Sequence, residues 1–151
     1  MMTWILMMMP SNPIKPIRGE IWWVNFNAPI TAPTPPIGTP KEQLPTTGDE
    51  IYKSRPAVVL TIPASWNLAL QIVVPITSWQ EHFQINQYFW MVKLQADGVN
   101  NLNNDSAANI LQIKSVSHRR FGNKIGMVSP DQLNLITATV AFCIGYKLPR
   151  R

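Results

Sequence analysis

The sequence is poor in cysteine, histidine and charged residues, and these shortages exclude several kinds of active site. Cys143 is the single cysteine, so no intrachain disulfide and no cysteine metal cluster can form. It lies in an apolar helical stretch, which predicts a reduced core thiol and a cytoplasmic protein. The two histidines, His82 and His118, have no second ligand at zinc spacing. A Gly-rich phosphate loop and a G-x-S-x-G elbow are absent too. Two histidines and one buried-looking cysteine argue against a Ser-His-Asp or Cys-His catalytic centre.

The overall composition indicates one compact domain with a basic surface. The 151 residues are 46% hydrophobic and only 14% charged, which suits a single domain with its own core. The formal net charge is +5 and the pI is about 9.7. A basic balance favours an anionic partner such as nucleic acid or an acidic protein segment. The alternative interpretation is a basic domain that binds neither kind of partner.

Two segments are predicted to carry no regular structure. The N-terminal stretch "MMTWILMMMP" is apolar but has no basic n-region, and it is too short to span a bilayer. We therefore expect residues 1–17 to be a disordered extension without a membrane role, and the methionines suggest a true start downstream of Met1. Residues 27–54 hold six prolines, which predicts a long loop, either functional or a flexible insertion. We expect one domain over 18–148.

Apolar alternation and turn residues predict a mainly β fold with a C-terminal α-helix (α+β). The strand over 18–26 is apolar on both faces, so we expect one face to meet the core and the other a second surface. Ser129 starts the helix, Gln132 completes a capping box and Gly145 ends it. Several short strands followed by one helix predict a small, strongly bent β-barrel. The remaining strands are predicted at 56–62, 68–78, 88–94, 107–113 and 126–128.

Polar side chains stand where these predicted strands begin or end. Arg55 enters the second strand, Thr77 and Ser78 leave the third, and a polar group that includes Gln112, Lys114 and Ser115 follows the fifth. An arginine beside hydroxyl groups suits an oxyanion with several acceptor oxygens, above all a phosphate. The alternative interpretation is that Arg55 caps a surface turn and Thr77 is an ordinary β-branched strand residue.

Five motifs in order resemble the PemK/MazF family of type II toxins, which are endoribonucleases. They are "RGEIWWVNF", "GDEIYKSRPAVVL", "VVPITS", "LQIKSVS" and "GMVSPDQL", and they run from Arg18 to about Tyr146. The resemblance implies a small SH3-like β-barrel of the MazF/CcdB type and a homodimer. It also implies cleavage of single-stranded RNA without metal or other cofactor. The ribose 2′-OH would attack the adjacent phosphorus and leave a 2′,3′-cyclic phosphate.

The resemblance also implies roles for particular residues. The family's usual catalytic pair matches Arg55, for charge stabilisation, and Thr77, as a hydrogen-bond donor to a phosphate oxygen. Leu111 stands where many members carry an acid, and the proline-rich segment is unusually long, which puts base specificity in doubt. The positions expected to bind RNA are Glu50, Lys53, Ser78, Trp79, Gln112, Lys114 and Ser115.

The implied partners are single-stranded RNA, a cognate antitoxin and, only together with that antitoxin, operator DNA. Trp79 has a second interpretation, packing in the core or at a dimer interface, and the basic turn "HRRFGNK" is interpreted as solvated. Two other functions are compatible with the same fold. One is a barrel that binds DNA or a protein partner without cutting, and the other is a gyrase-poisoning toxin.

Overall fold

The computed structural model describes residues 15–27, 36–40, 49–63 and 69–147. Nearly all of the expected N-terminal extension lies outside these ranges, as do residues 28–35 and 41–48 of the proline-rich segment. The domain limits and the disorder of the extension therefore stay predictions. No helix among the described residues is long and apolar enough to cross a membrane.

The described ranges contain seven strands and two α-helices, and the second helix closes the domain. Two 3-10 turns, Ile110–Gln112 and His118–Arg120, lie on either side of the sixth strand. In chain order the elements are β1 (Glu20–Asn25), β2 (Ser54–Val59), β3 (Leu70–Ser78), α1 (Glu81–Ile85), β4 (Met91–Leu94), β5 (Ser106–Asn109), β6 (Lys114–Ser117), β7 (Phe121–Met127) and α2 (Pro130–Cys143).

The strands form one antiparallel sheet in the order β4-β5-β3-β2-β1-β7, with β6 paired to β3. The predicted mainly β fold with a C-terminal helix is confirmed. The sheet is not closed, because within the described ranges no ladder joins its two edge strands, β4 and β7. The fold is therefore an open antiparallel sheet rather than the continuous barrel that the sequence suggested.

Both faces of the central strands are buried by this chain itself. Side chains alternate along β2, so that Val58 belongs to a helix-side cluster and Ala57 and Val59 to a far-side cluster. Ile136 of α2 completes the helix-side cluster, and Phe121 of β7 contributes to the far-side cluster. Along the first strand Ile21 and Val24 are fully buried within one chain, whereas Trp23 keeps 44% of its surface exposed. Most of the strand's apolar surface is therefore covered without a partner, and the pattern alone is weak support for the expected dimer.

Two prolines mark the place where the ladder between β2 and β3 ends. The last pair towards the start of β2 is Ala57 with Pro75, and the same register would set Pro56 opposite Ile76. Neither proline has an N–H to donate, so the ladder cannot continue as a regular one. On its other edge β3 changes partner here, from β6 over Leu70–Val73 to β5 over Ile76–Ser78.

Helix α2 has the predicted start and end. The Ser129 hydroxyl accepts a hydrogen bond from the Gln132 N–H at 3.1 Å, and the Gln132 side chain accepts one from the Ser129 N–H at 2.9 Å. Gly145 follows in the left-handed region at φ +77°, as expected for a helix terminator. Cys143 is half-buried against the helix-side cluster, which agrees with a structural thiol.

Several boundaries differ from those predicted. The segment between β3 and β4, for which no helix was predicted, contains α1, whose Phe83 is buried, and residues 88–90 form a turn rather than the start of a strand. The fifth strand ends at Asn109 because the chain enters a 3-10 turn. Much of "HRRFGNK" belongs to β7, which pairs with β1, and is not simply a solvated turn.

Candidate active site

Arg55 and Thr77 lie at the same end of two neighbouring strands. Each stands two residues beyond the final β2–β3 pair, Ala57 with Pro75, so the antiparallel register sets them opposite each other. Because the ladder has ended, no backbone hydrogen bond draws these two positions together. The space they border is a groove of about 530 Å³.

The wall of this groove, called the Arg55 groove below, is rich in hydroxyl and amide groups and carries only positive charge. Its two charged side chains are Lys53 and Arg55, and no carboxylate is present among the described lining residues. Such a surface attracts anions and does not repel a phosphate. The groove is lined by Trp23, Lys53, Ser54, Arg55, Pro56, Ile76, Thr77, Ser78, Asn101, Leu102, Asn103, Asn104, Ser106 and Ile125.

The guanidinium of Arg55 is oriented by one residue and keeps its outer nitrogens available. Its Nε donates a hydrogen bond to the Tyr52 carbonyl at 3.0 Å, and its Cζ lies 5.7 Å from the centroid of the Tyr52 ring. Within the described ranges neither Nη atom has a hydrogen-bond partner, and Arg55 forms no ion pair. The outer nitrogens are therefore available to bind two oxygens of one anion.

The hydroxyls beside Arg55 are also available. Thr77 is half-buried, and its backbone pairs with Ala107 of β5, so its position is set by the sheet. Its Oγ1 has no hydrogen-bond partner among the described residues. Ser78 is exposed at the end of β3 opposite Ser106, and both serines line the groove.

Gln112 holds the chain that leads into Arg55. Its Oε1 accepts a hydrogen bond from the Ile51 N–H at 3.1 Å, and its Nε2 donates to the Asp49 carbonyl at 2.8 Å. The side chain therefore fixes backbone rather than facing the Arg55 groove. Together with Glu50, Tyr52, Arg55 and Asn109 it borders a smaller depression of about 210 Å³.

Lys53 is held in an unusual backbone conformation. Its φ is +69°, and its N–H donates to the buried Asn27 side chain at 3.1 Å, while its carbonyl accepts from the Phe26 N–H at 2.9 Å. The ammonium lies 5.0 Å from the Tyr52 ring centroid. The turn before β2 is thus held by Gln112 from one direction and by the end of β1 from the other.

Five of the seven residues predicted to bind RNA lie outside this groove: Glu50 and Gln112, which border the smaller depression, and Trp79, Lys114 and Ser115. Trp79 packs edge-on against Phe83 at 5.5 Å, with the Lys93 ammonium 5.0 Å from its ring, which matches the packing interpretation. Lys114 borders a separate cavity of about 290 Å³ with Glu50 and Gln112. Ser115 is exposed on β6 and lines none of these cavities.

Other groove residues were not predicted as site residues. Trp23, which is 44% exposed, was interpreted from sequence only as part of a two-sided strand. Residues 101–104, three asparagines and Leu102, were not singled out from sequence as site residues. The sequence does show an aromatic residue at a strand position and a run of amide side chains. Neither pattern indicates which surface of the protein these side chains face.

The described residues contain no group of three or more His, Cys, Asp or Glu side chains that could hold a metal ion.

Arg120, from the basic segment "HRRFGNK", donates hydrogen bonds to the Asn25 and Asn27 carbonyls. It therefore stabilises the end of β1 that also holds Lys53.

Comparison with known proteins agrees with this fold. Residues 42–144 match the family of PemK-like, MazF-like toxins of type II toxin–antitoxin systems. The structure is similar to MazF from Deinococcus radiodurans, with a TM-score of 0.63 and 22% identity over 87% of this chain and 98% of that chain. It is also similar to a MazE–MazF complex from the same organism, with a TM-score of 0.58, 20% identity and coverage of 89% and 100%.

A third similar structure is an endoribonuclease in complex with its cognate antitoxin from a mycobacterial species. Its TM-score is 0.56 and its identity 17%, over 89% of this chain and 98% of that chain. No curated protein sequence matches the chain. The chain belongs to the PemK/MazF family of toxins, because the family match spans most of its length. It is a toxin of a type II toxin–antitoxin system.

Replacing Gln112 tests whether this side chain orders the approach to Arg55. In Gln112→Ala the Ile51 N–H loses its acceptor, so its hydrogen exchange should be faster by roughly tenfold. Gln95→Ala is the matched control, because Gln95 is exposed and its side chain forms no hydrogen bond within the described ranges. Equal protection of Ile51 in the wild type and in Gln112→Ala would contradict this role.

Proposed function

We propose that this toxin is an endoribonuclease that cuts single-stranded RNA without a metal ion, by attack of the ribose 2′-OH. The observation that carries the proposal is the placement of Arg55 and Thr77 at one end of β2 and β3, in a groove whose charged side chains, among the described lining residues, are Lys53 and Arg55. Membership of the PemK/MazF family supports the same activity. Metal independence rests on that family and on roles that the chain's own side chains can fill.

The reaction needs a proton acceptor, stabilisation of charge on phosphorus and a leaving group. The 2′-oxygen forms a bond to the adjacent phosphorus as its proton is removed, and the bond from phosphorus to the 5′-oxygen breaks. The 5′-oxygen takes up a proton and leaves as a hydroxyl, while the other fragment keeps a 2′,3′-cyclic phosphate. DNA lacks the 2′-OH and so would not be cut.

Arg55 is assigned to the charge on phosphorus. A guanidinium stays protonated in proteins, so it is better suited to bind an anion than to transfer a proton. Its two unpaired Nη atoms fit two non-bridging oxygens of the pentacoordinate phosphorus, where the negative charge increases during the reaction. Thr77 donates its hydroxyl hydrogen to one of these oxygens.

Glu50 is assigned to the proton of the 2′-OH. It is an exposed carboxylate, it borders the smaller depression that Arg55 shares, and it has no hydrogen bond or ion pair within the described ranges. A carboxylate in such a place can act as a general base. Asp49 borders the same depression but already has an interaction of its own.

Binding of RNA rests on stacking and on positive charge. Trp23, not Trp79, is assigned as the stacking platform, because its half-exposed indole lines the Arg55 groove. Lys53 and Ser78 contact the phosphate chain there. Lys114 and Ser115 are assigned to extend the path along β6, and Gln112 supports the site by holding the chain before Arg55.

The proposed partners are a cognate antitoxin and a second copy of this chain. Two of the similar structures are toxin–antitoxin complexes, and operator DNA is proposed to bind only to such a complex. With a net charge of +5, the toxin suits an acidic antitoxin segment that competes with RNA for the groove. Addition of antitoxin should therefore lower the cleavage rate, and unchanged cleavage in the saturated complex would argue against competition.

The catalytic roles predict a graded series of variants. In a chelator-containing buffer, wild type should cut single-stranded RNA, and Arg55→Ala should cut about 10²- to 10³-fold more slowly through loss of charge stabilisation. Thr77→Val should lose at least tenfold, whereas the matched control Thr77→Ser keeps the hydroxyl and most of the activity. Glu50→Gln should lose about 10²-fold. Initial rates on a fluorescently labelled RNA measure each effect.

The same assay separates the rival functions. A chain that binds RNA or DNA and leaves it intact would be a binding module, and one that inhibits gyrase supercoiling would be a gyrase poison. Activity that disappears with chelator and returns with a divalent ion would overturn the metal-independent mechanism. Full activity of Arg55→Ala would remove Arg55 from the reaction.

The homodimer is testable by mass. Since most of the apolar surface of β1 is covered within one chain, the prediction rests mainly on the family resemblance. Sedimentation should give twice the 17.1 kDa chain mass. A monomer at tens of micromolar, roughly where an interface of standard size should hold, would contradict it.

A further inference from the structure

The loop between β4 and β5 forms part of the Arg55 groove, and its fold is internally fixed. The Asp97 carboxylate accepts hydrogen bonds from the Val99 N–H at 2.8 Å and the Asn100 N–H at 2.7 Å. The Asn100 side chain, fully buried, accepts from the N–H groups of Asp97 and Leu102 and donates to the Gln95 carbonyl. Two side chains thus bind four backbone N–H groups and one carbonyl of the loop.

The loop is also attached to β7. The Asn101 amide donates to the Ile125 carbonyl at 3.0 Å, and the Met127 N–H donates to the Val99 carbonyl at 3.2 Å. Gly126 permits this approach, because a Cβ there would lie 2.6 Å from the carbonyl oxygens of Val99 and Asn100. The loop therefore has a set position relative to the sheet.

The next two residues differ from this pattern. Asn103 and Asn104 are exposed, and within the described ranges their side-chain amides form no hydrogen bond. Both line the groove that contains Arg55 and Thr77. The Asn104 carbonyl accepts from the Ser106 hydroxyl at 2.8 Å, and Ser106 pairs with Ser78, so the amides are placed beside the end of β3.

An exposed amide on a fixed loop is suited to recognising a base. Its carbonyl and NH₂ present an acceptor next to a donor, which matches base edges that carry a donor next to an acceptor. It has no charge, so it adds little to the attraction for the phosphate chain, which is independent of sequence. Hydrogen bonds from such a group change which RNA is cut more than how tightly any RNA is held.

We propose that Asn103 and Asn104 determine sequence preference by hydrogen bonding to a base next to the phosphate at Arg55. The proposal rests on the proposed ribonuclease function and adds to it the residues that read the substrate. Asp97, Asn100 and Gly126 are positioning residues, since they hold the loop and do not touch RNA.

The test is the cleavage preference of a randomised single-stranded RNA pool, read by sequencing the cut ends. For Asn103→Ala/Asn104→Ala we expect the ratio of preferred to disfavoured sequences to fall by about tenfold or more. Cleavage of the disfavoured sequences should stay within a few-fold of wild type. Asn134→Ala, an exposed asparagine on α2 outside the groove, is the matched control.

A second variant separates base reading from general damage. Asp97→Ala keeps both amides but removes two hydrogen bonds that fix the loop, so it should lower the same ratio, and circular dichroism checks that it is folded. An unchanged preference in the double variant would overturn the proposal. So would a uniform loss of rate with the preference intact.

The experiment also separates failure of base recognition by Asn103 and Asn104 from failure of the proposed ribonuclease function. If wild type leaves RNA intact, the ribonuclease function fails, and the same pool is then used for selection by binding. A binding preference that the double variant loses would still support base reading by Asn103 and Asn104. Absence of any preference in binding would overturn it.

Discussion

The early end of the ladder between β2 and β3 is the constraint on which the rest of the site depends. Pro56 and Pro75 have no N–H, and the ladder stops at Ala57 and Pro75, two residues before Arg55 and Thr77. Pairing of Arg55 with Val24 of β1 and of Thr77 with Ala107 of β5 fixes the two ends in space, while no ladder hydrogen bond joins the two ends to each other. A permanently charged side chain beside a buried strand is therefore placed at the edge of a groove and not in the core.

The two sides of this groove differ in charge: one carries positively charged side chains and the other carries neutral amides. The β2 and β3 side carries Lys53, Arg55 and Thr77, which suit a phosphate whatever the neighbouring base. The loop side carries neutral amides, which suit a base and have little attraction for phosphate. Affinity and sequence preference would then arise from different residues, and salt should weaken the first far more than the second.

The fold was predictable where sequence patterns are local, and less so elsewhere. The capping box at Ser129 and Gln132 and the apolar, β-branched runs of β1 and β3 depend on near neighbours, and the helix start and both strands were predicted. Helix α1 and strand β6 are short and polar, so tertiary pairing decides their structure.

Some residues of the site were likewise predictable from local motifs, and others were not. Motif order pointed to Arg55 and Thr77, but sequence neighbourhood placed Trp79 beside Thr77 and could not show that its ring turns towards Phe83. Trp23 and the amides of the β4–β5 loop join the groove only through strand order and loop docking, which single-sequence patterns do not contain.

The central claim is that the nucleophile is the 2′-oxygen of the RNA itself, with Arg55 holding the adjacent phosphate. The most direct measurement uses a preferred RNA substrate with a single 2′-deoxy substitution on the 5′ side of its cut. The account predicts that cleavage stops at that position and that the unmodified RNA yields a 2′,3′-cyclic phosphate end, in chelator, by mass spectrometry. Continued cleavage at the deoxy position would contradict it.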